Sequence, residues 1–308
     1  MKILFIDIVH PLLKKELEKN NHECETAFDL SKLQIETIIE KYNGIIIRSK
    51  FIIDENFIKK AKNLKFIARA GSGLENIDVD FAKKQRIKCY NASEGNRQAV
   101  AEHALGMILS LFNNLRQADT EIRSGYWNRE SNRGTELSGK TVAIIGYGNN
   151  GSAFSRLIEG FGVNILTYDK YLVDYPFESS MKYIFDNADI LSIHTPLTKE
   201  TSHLINNKYI NNFKKNIYLI NTARGKCVNT EHLVKSLKSG KIQGACLDVL
   251  EYENISFENL KKNRKEKNLQ YLTNCSKVIL SPHIAGWTHE SNIKIAKILF
   301  QKISNDFS

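Results

Sequence analysis

One stretch in the middle of this 308-residue chain constrains its fold more than any other. An apolar, β-branched run, Thr141–Ile145, leads into Gly146, Gly148 and Gly151, and a helix-compatible segment follows. A second apolar run then ends at Asp169, 18 residues after the last glycine. The order of strand, glycine turn, helix, strand and acid predicts a βαβ unit.

Each part of this unit has a physical role in holding a dinucleotide. The first glycine permits a tight turn, the second lets the backbone approach a pyrophosphate, and the third lets helix and strand pack closely. The phosphates then lie at a helix N-terminus, whose free N–H groups favour negative charge. A βαβ unit with a glycine-rich turn and no ligand is the alternative, but the acid at Asp169 favours the nucleotide site.

The residue at the end of the second strand also predicts which dinucleotide binds. The Asp169 carboxylate can accept hydrogen bonds from the adenosine ribose and repels a 2′-phosphate, so we predict NAD. Lys170 is a neighbouring cation that could tolerate NADP, and this alternative stays open.

Length and charge restrict the other classes of function. The length favours two domains, and 42% hydrophobic with 25% charged residues is typical of a soluble globular chain. The net charge is +10, but the basic residues are spread along helices, so we expect no nucleic-acid partner and attraction of an anionic metabolite. We interpret the dense basic run at 261–267 as a solvated loop or helix face.

The apolar runs and the cysteines predict the compartment. The first run, Ile3–Val9, is interrupted by Asp7 and lacks signal-peptide features, and no later run could cross a membrane. The five cysteines show no metal-ligand or disulfide spacing, so we expect buried free thiols and no metal. We therefore predict a cytoplasmic protein with no membrane partner.

The residues before about Asn91 alternate between strand and helix patterns. Ile3–Val9, Ile45–Ile47 and Phe66–Ala68 are the predicted strands, and they indicate a small parallel sheet. Ligands of such sheets bind beyond the carboxyl ends of the strands. Arg48 and the turn Arg69–Gly73 occupy such ends, where an anion could be held.

A long, nearly uncharged pattern at Ala99–Phe112 predicts a buried helix. Within it, we interpret His103 as a hydrogen-bonded core residue rather than a ligand. The polar stretch Asn113–Leu137 then precedes the nucleotide unit. Its Tyr126 and Trp127 suggest a subunit contact, although scattered surface aromatics would look the same.

After Asp169 four more strand patterns end in polar residues, on the side where a nicotinamide would lie. A last helix near residues 291–305 is expected to pack on the first domain. The predicted fold is α/β, with two doubly wound parallel-sheet domains. A Rossmann NAD-binding domain at residues 98–283 is inserted in a flavodoxin-like substrate domain made of residues 1–97 and 284–308.

Arg224, Glu253 and His283, at three of these strand ends, form a set suited to oxidation of a 2-hydroxy acid. A guanidinium binds a carboxylate in a planar, two-pronged way, which fixes the reacting carbon. Imidazole titrates near neutral pH and can exchange the hydroxyl proton, and a carboxylate on its other nitrogen would stabilise the imidazolium. Each residue alone has a structural alternative, but together they favour catalysis.

The motifs of this chain, taken in order, resemble the D-isomer-specific 2-hydroxyacid dehydrogenases. The resemblance covers most of residues 45–291 and implies Arg224, Glu253 and His283 as catalytic, Asp248 as a nicotinamide contact, and a homodimer formed through residues 101–139. It is strongest to the members that oxidise D-3-phosphoglycerate. The motifs that carry it are Ile47-Arg48-Ser49, Arg69–Gly73, Asn76-Ile77-Asp78, Asn96 to Glu102, Gly146–Gly151, His194–Leu197, Asn221–Gly225, Asp248–Glu253 and Ser281-Pro282-His283, with Trp127–Arg129 and Gly134–Lys140 for the phosphoglycerate members.

Two sets of binding residues are expected on this basis. The cofactor set is Tyr147, Gly148, Asn149, Asn150, Gly151, Asp169, His194, Thr195, Pro196, Thr222, Ala223, Arg224, Asp248, His283 and Gly286. The set for an anionic 2-hydroxy or 2-keto acid is Arg48, Ser49, Arg69, Gly71, Ser72, Gly73, Asn96 and Arg129, the last from a second subunit.

The sequence also departs from the family and leaves alternatives open. Asn254 stands where a proline is usual, and residues 254–276 are longer and richer in Lys than expected. The chain ends soon after His283, so we expect no C-terminal regulatory domain. A reductase of glyoxylate, hydroxypyruvate or another 2-keto acid remains an alternative, as does an NAD-sensing corepressor that binds protein partners.

Overall fold

The computed structural model of the protein describes residues 1–253 and 266–307. The expectations for residues 254–265, including most of the basic run, lie outside this range. The described chain divides into two compact units, the first made of residues 1–96 and 287–307 and the second of residues 97–253 and 266–286. Each unit is built on one parallel sheet.

The sheet of the first unit has five parallel strands in the order β2-β1-β3-β4-β5. This order confirms the predicted flavodoxin-like sheet, whose strand order reverses between β1 and β3. Helices cover both faces, which is why strands such as β3 and β4 are buried throughout. The strands are β1 (Lys2–Phe5), β2 (Glu23–Thr26), β3 (Gly44–Ile47), β4 (Phe66–Arg69) and β5 (Lys88–Tyr90).

The first strand is shorter than its apolar run predicts. It ends at Phe5 because the chain turns at Asp7, whose Oδ2 accepts the N–H groups of Arg48 at 2.6 Å and Ser49 at 3.0 Å. The run continues beyond the strand as a loop, so Ile8 is exposed. Asp7 thereby connects the carboxyl ends of β1 and β3.

The early helices begin where their capping residues predict. Pro11 opens α1, Ser31 and Gln34 form a capping box for α2, and Asp54 caps α3. A 3₁₀ turn follows α2 directly, so the helical segment that begins at Lys32 is α-helical only as far as Ile38. These helices are α1 (Pro11–Lys19), α2 (Lys32–Ile38), α3 (Glu55–Lys60) and α4 (Val79–Lys84).

The sheet of the second unit has six parallel strands in the order β11-β10-β9-β8-β6-β7. An isolated parallel bridge, Thr167 to Glu178, lies beside β7 in the position of a further strand. Counted with this bridge, the strand order is that of a Rossmann sheet, as predicted. The strands are β6 (Thr141–Ile145), β7 (Asn164–Tyr168), β8 (Ile190–Ile193), β9 (Ile217–Asn221), β10 (Ile242–Leu247) and β11 (Val278–Leu280).

Two helices precede this sheet. The buried helix α5 begins at Ser93, earlier than predicted, and its residues Ala101, Ala104 and Ile108 pack in one cluster with the sheet residue Ile144. The polar stretch after it contains an unpredicted helix, α6. The helices are α5 (Ser93–Phe112), α6 (Leu115–Arg123), α7 (Asn149–Ile158), α8 (Met181–Asn187), α9 (Asn207–Asn211), α10 (Thr230–Ser239), α11 (Lys267–Asn274) and α12 (His289–Asp306).

The final helix α12 belongs to the first unit. A capping box of Thr288 and Ser291 opens it, and Leu299 packs with Leu13 and Leu17 of α1. Two ends of the chain therefore build one core. No helix in the described part of the chain has the length and apolar character needed to cross a membrane.

Candidate functional site

The glycine turn between β6 and α7 is tightly constrained at two of its three glycines. Gly146 has a φ of 92°, which disfavours other residues, and a Cβ at Gly151 would lie 1.9 Å from the carbonyl oxygen of Gly146. By contrast, a Cβ at Gly148 would meet no atom within 4 Å. The fold itself requires Gly146 and Gly151, whereas the space beside Gly148 is available to a ligand.

Five buried polar side-chain atoms in the described part of this unit have no hydrogen-bond partner in the protein. Asn132 Oδ1 and His232 Nδ1 lie outside the predicted cofactor set, and the other three are Asn150 Oδ1 in α7, His194 Nδ1 after β8 and Thr222 Oγ1 after β9. Buried polar atoms normally have a partner, and Asn150, His194 and Thr222 can each take one from a bound ligand. All three belong to the set predicted to bind the dinucleotide, whose phosphates, sugars and amide would supply such groups. The residues present therefore fit that cofactor.

Asp169 lies directly beside the glycine turn. Its Oδ2 accepts the N–H of Tyr147 and its Oδ1 accepts the N–H of Tyr171, each at 2.9 Å. The backbone N–H of Asp169 donates to the Tyr175 hydroxyl at 2.6 Å, and the rings of Tyr175 and Tyr147 stack with centroids 5.0 Å apart. A carboxylate has about four acceptor positions, so two remain for ribose hydroxyls.

His194 follows β8 with its Nε2 2.8 Å from the hydroxyl of Ser192. Burial lowers the pKa of His194 to about 4, so the imidazole is neutral at physiological pH. Thr195 is half-buried and Pro196 is exposed next to it. This strand end therefore offers a neutral, buried ring nitrogen rather than a cation.

Asn221, at the end of β9, shapes the turn that presents Arg224. Its Oδ1 accepts the N–H of Ala223 at 3.1 Å, and its Nδ2 donates to the carbonyl oxygen of Arg224 at 3.0 Å. The Arg224 guanidinium also donates to the carbonyl oxygen of Ala223 at 2.7 Å. The sequence did not predict Asn221 as a site residue, although an Asn that bonds the backbone two residues on is a known turn signal.

His283 and Glu253 form the pair that the sequence predicted as a unit. His283 Nδ1 lies 2.7 Å from Glu253 Oε2, and the backbone N–H of Leu250 donates to Glu253 Oε1. The two side chains are 22% and 13% exposed, so the pair is largely shielded from water. Both carboxylate oxygens have a partner, which fixes the orientation of the imidazole.

The backbone of His283 is in an uncommon conformation. Its φ is 56°, in the left-handed region that a residue with a side chain rarely adopts. The N–H of His283 donates to the carbonyl oxygen of Asp248 at 2.7 Å. This contact and those of the Asp248 side chain hold the turn in place.

The Asp248 carboxylate is buried and faces this turn. Its Oδ1 accepts the Ser281 hydroxyl at 2.6 Å and the Ile284 N–H at 2.8 Å, and its Oδ2 accepts the Ala285 N–H at 2.9 Å. His103 Nε2 lies 2.8 Å from the same hydroxyl, so His103 is a hydrogen-bonded helix residue as expected. The contacts indicate that Asp248 positions the segment from 281 to Gly286, in addition to any contact with a cofactor.

The residues predicted to bind substrate in the first unit collect at the ends of β3 and β4. The Arg48 guanidinium lies 3.9 Å from the centroid of the Trp287 ring, and Arg69 Nε donates to the Arg48 carbonyl oxygen at 3.1 Å. A Cβ at Gly71 would lie 2.2 Å from Arg69 Nη1, so this guanidinium lies directly against Gly71. A cavity of about 270 Å³ adjoins Arg48 and Trp287 and is otherwise mostly apolar.

The remaining predicted residues lie nearby in the chain or in the other unit. Ser72 donates through its hydroxyl to Asn96 Oδ1 at 2.7 Å, and Gly73 lies next to Ser72. Ser49 is held by Asp7 as described above. Arg129 lies in the second unit and is exposed. Asp7 and Trp287 were not predicted, because their partners are far away in the sequence.

Comparisons with known proteins agree with this arrangement. Residues 105–285 match the family described as D-isomer specific 2-hydroxyacid dehydrogenase, NAD binding domain. The chain is 34% identical to hydroxypyruvate reductase of Thermotoga maritima over 97% of this chain and 96% of that protein. It is 32% identical to D-3-phosphoglycerate dehydrogenase of Archaeoglobus fulgidus over 99% of this chain, but it spans 57% of that protein's length.

A solved structure shows the same fold. The D-lactate dehydrogenase of Aquifex aeolicus, complexed with NAD and lactic acid, superposes with a TM-score of 0.84 at 26% identity. The match covers 99% of this chain and 94% of that chain.

Proposed function

Because this chain belongs to the D-isomer-specific 2-hydroxyacid dehydrogenase family, we propose that it interconverts D-3-phosphoglycerate and 3-phosphohydroxypyruvate. The family makes it an NAD-dependent enzyme, so a corepressor that only binds NAD is set aside. The proposal concerns the substrate and the role of each residue. The reaction would be the first step of serine synthesis.

His283 is the proposed acid and base. Its Nδ1 is bonded to Glu253, so Nε2 is the atom that exchanges a proton with the substrate oxygen. The carboxylate of Glu253 stabilises the imidazolium that exists while the proton is on the ring. Bound NAD supplies the nicotinamide carbon that accepts or donates the hydride.

Arg224 is the proposed partner of the substrate carboxylate. Its planar guanidinium can donate two parallel hydrogen bonds to a carboxylate, which orients the reacting carbon. The adjacent Gly225 packs closely, since a Cβ there would lie 2.1 Å from the carbonyl oxygen of Leu250. This packing and the Asn221 contacts support the guanidinium from the backbone.

One observation carries the choice of a phosphorylated substrate. Arg48 follows β3 and Arg69 is the last residue of the neighbouring strand β4, and Arg69 is bonded to the backbone of Arg48 at 3.1 Å. A phosphate taken out of water needs several charged donors, and two arginines at adjacent strand ends provide them. Arg129 of a partner subunit is the third donor in this proposal, which requires a homodimer.

A reductase of hydroxypyruvate or glyoxylate is the second candidate. The similarity to hydroxypyruvate reductase of Thermotoga maritima covers nearly the whole of both chains. In addition, the Arg48 guanidinium already stacks on Trp287, so a cation–π contact accounts for part of its surroundings. An unphosphorylated substrate would leave that contact intact.

The two candidates differ in how turnover depends on Arg48. We expect the wild-type enzyme to reduce 3-phosphohydroxypyruvate with a higher kcat/KM than hydroxypyruvate or glyoxylate, measured by NADH absorbance. Arg48→Gln should raise KM for the phosphorylated acid by roughly 10- to 100-fold, the range for one charge-assisted hydrogen bond, and change KM for hydroxypyruvate much less. Arg86→Gln is the control: it removes an exposed arginine of the same unit and should change neither KM value.

Equal efficiency of the wild-type enzyme on phosphorylated and unphosphorylated acids would favour the second candidate.

We also propose a cytoplasmic location. The five cysteines, all in the described part of the chain, are free thiols, which fits a reducing compartment, although Cys24, Cys89 and Cys275 are partly exposed rather than buried as predicted.

A further inference from the structure

A cluster of charged and aromatic side chains lies next to Asp169. Lys170 Nζ lies 2.7 Å from Glu200 Oε1, and the Tyr171 hydroxyl donates to Glu200 Oε2 at 2.7 Å. Lys170 Nζ also lies 5.6 Å from the centroid of the Tyr171 ring. The two oxygens of Glu200 therefore bind the two residues that follow Asp169, one oxygen to each residue.

We propose that Glu200 is a specificity-determining residue that excludes NADP by holding Lys170 in an ion pair. This inference rests on the assignment of the dinucleotide site to Gly146–Asp169 and is independent of the substrate. Asp169 acts directly on the 2′ position of the ribose, and Glu200 acts through Lys170.

The backbone around Asp169 explains why Lys170 matters. Both oxygens of Asp169 accept backbone N–H groups, so its carboxylate is fixed beside the glycine turn. A 2′-phosphate in place of the ribose 2′-hydroxyl would lie close to this carboxylate and would need a compensating cation. Lys170 is the adjacent cation in the sequence, and its charge is matched by Glu200 instead.

The local charge shows what removal of Glu200 would do. Asp169, Lys170 and Glu200 together carry a charge of −1, which repels a phosphate dianion. Without Glu200 their sum is zero, and without both acids it is +1. The hydrogen bond that Lys170 donates to Glu200 raises the pKa of Lys170 and lowers the pKa of Glu200, so both groups are charged at neutral pH.

The exposure of the pair argues against a role in stability. The side chains of Lys170 and Glu200 are 57% and 54% exposed, and ion pairs in such positions contribute little to folding. Their orientation is nevertheless defined, because Glu200 is bonded at both oxygens. A role in selecting among anions explains this geometry without any contribution to the core.

Binding of NADH and NADPH to the purified protein tests the inference without turnover. Dissociation constants would be measured by nucleotide fluorescence for the wild type, Glu200→Gln, Lys170→Ala/Glu200→Gln, Asp169→Ser and Asp169→Ser/Glu200→Gln. We expect the ratio Kd(NADPH)/Kd(NADH) to fall about fivefold in Glu200→Gln, the effect of one unit charge near 4 Å in water. This fall in the ratio should disappear when Lys170 is also replaced, and it should be smaller at high ionic strength.

The double variant without either acid gives the largest expected change. Asp169→Ser/Glu200→Gln should favour NADPH more than Asp169→Ser alone, because Lys170 is then unpaired next to the 2′-phosphate. Asp186→Asn is the matched control: it removes a surface carboxylate of the same unit that pairs with Lys214 at 2.9 Å, and it should leave the ratio unchanged.

The outcomes separate the inference from the cofactor assignment. An unchanged ratio in Glu200→Gln, with NADH still bound, overturns the role of Glu200. The ion-pair explanation is overturned if the ratio also falls in Lys170→Ala/Glu200→Gln, or if Asp186→Asn lowers it to the same extent. Failure of the wild-type protein to bind NADH would instead refute the dinucleotide site.

Discussion

His283 Nδ1 lies 2.7 Å from Glu253 Oε2, although the two residues belong to different strand ends. The histidine adopts a φ of 56° to reach this position, and the carboxylate is fixed by the Leu250 N–H on its other oxygen. A backbone in an uncommon conformation persists when surrounding contacts hold it, and such positions are frequent at functional sites. The uncommon backbone conformation of His283 and the hydrogen bonds of Glu253 therefore hold one imidazole in a fixed orientation.

Glu253→Gln tests the charge of this pair. The amide keeps the size of the side chain but cannot stabilise an imidazolium, so we expect kcat to fall by about 10²-fold or more while NADH still binds. Steady-state kinetics and NADH fluorescence would measure the two effects. Glu251→Gln is the matched control, because Glu251 forms a similar pair with His203 at 2.7 Å that we do not place in the site. Equal losses in both variants would contradict the assignment.

The glycine turn provides a prediction that separates folding from cofactor binding. Gly151→Ala places a Cβ 1.9 Å from the Gly146 carbonyl oxygen, so we expect a clear fall in Tm. Gly148→Ala meets no protein atom within 4 Å and should keep the Tm but weaken NADH binding, because the methyl group occupies the space of the phosphates. Gly160→Ala, which also meets no atom, is the control and should change neither. A Gly148→Ala protein that binds NADH normally would refute the phosphate position.

Asp248 offers a test of positioning. Its two oxygens accept Ser281, Ile284 and Ala285, and an Asn side chain has one oxygen and one NH₂ group to replace them. Asp248→Asn should therefore lose at least one of these bonds and lower kcat by moving the turn of His283. Ser281→Ala removes one donor and leaves the carboxylate with its two N–H partners, so its effect should be smaller. Wild-type kcat in Asp248→Asn would show that the turn is held by other contacts.

The sequence predicted the strands and the glycine turn because their signals are local. The buried runs before Arg48 and His194 are short and rich in isoleucine, and the spacing of Gly146, Gly148 and Gly151 is a property of adjacent residues. Parallel topology then places the strand ends on one edge of each sheet, which is why the polar ends could be predicted as sites. The roles within the site were inferred from side-chain chemistry.

Contacts between distant positions could not be predicted in this way. Asp7 bonds backbone groups 41 and 42 positions later, and Lys170 pairs with Glu200 30 positions later. No periodicity in a single sequence specifies such partners, because they depend on how the elements pack. The early end of β1 has the same cause, since Asp7 stops an apolar run that otherwise fits a longer strand.

His194 gives a prediction on the pH dependence of stability. Burial lowers its folded-state pKa to about 4 from the ordinary value of 6.5. Between these values the unfolded chain binds more protons than the folded one, so the free energy of unfolding rises with pH through this window and falls as the pH drops from 6.5 to 4. One pKa unit corresponds to about 1.4 kcal/mol, which makes about 3 kcal/mol the upper limit of the effect.

His194→Gln lacks the titrating group and should lose less stability than the wild type between pH 6.5 and 4.5, in urea unfolding without NAD. Other titrating groups affect both proteins equally, so the difference between them isolates His194. The exposed His289 supplies the control, and His289→Gln should follow the wild-type curve. Parallel curves for His194→Gln and the wild type would mean that the imidazole is hydrated rather than buried.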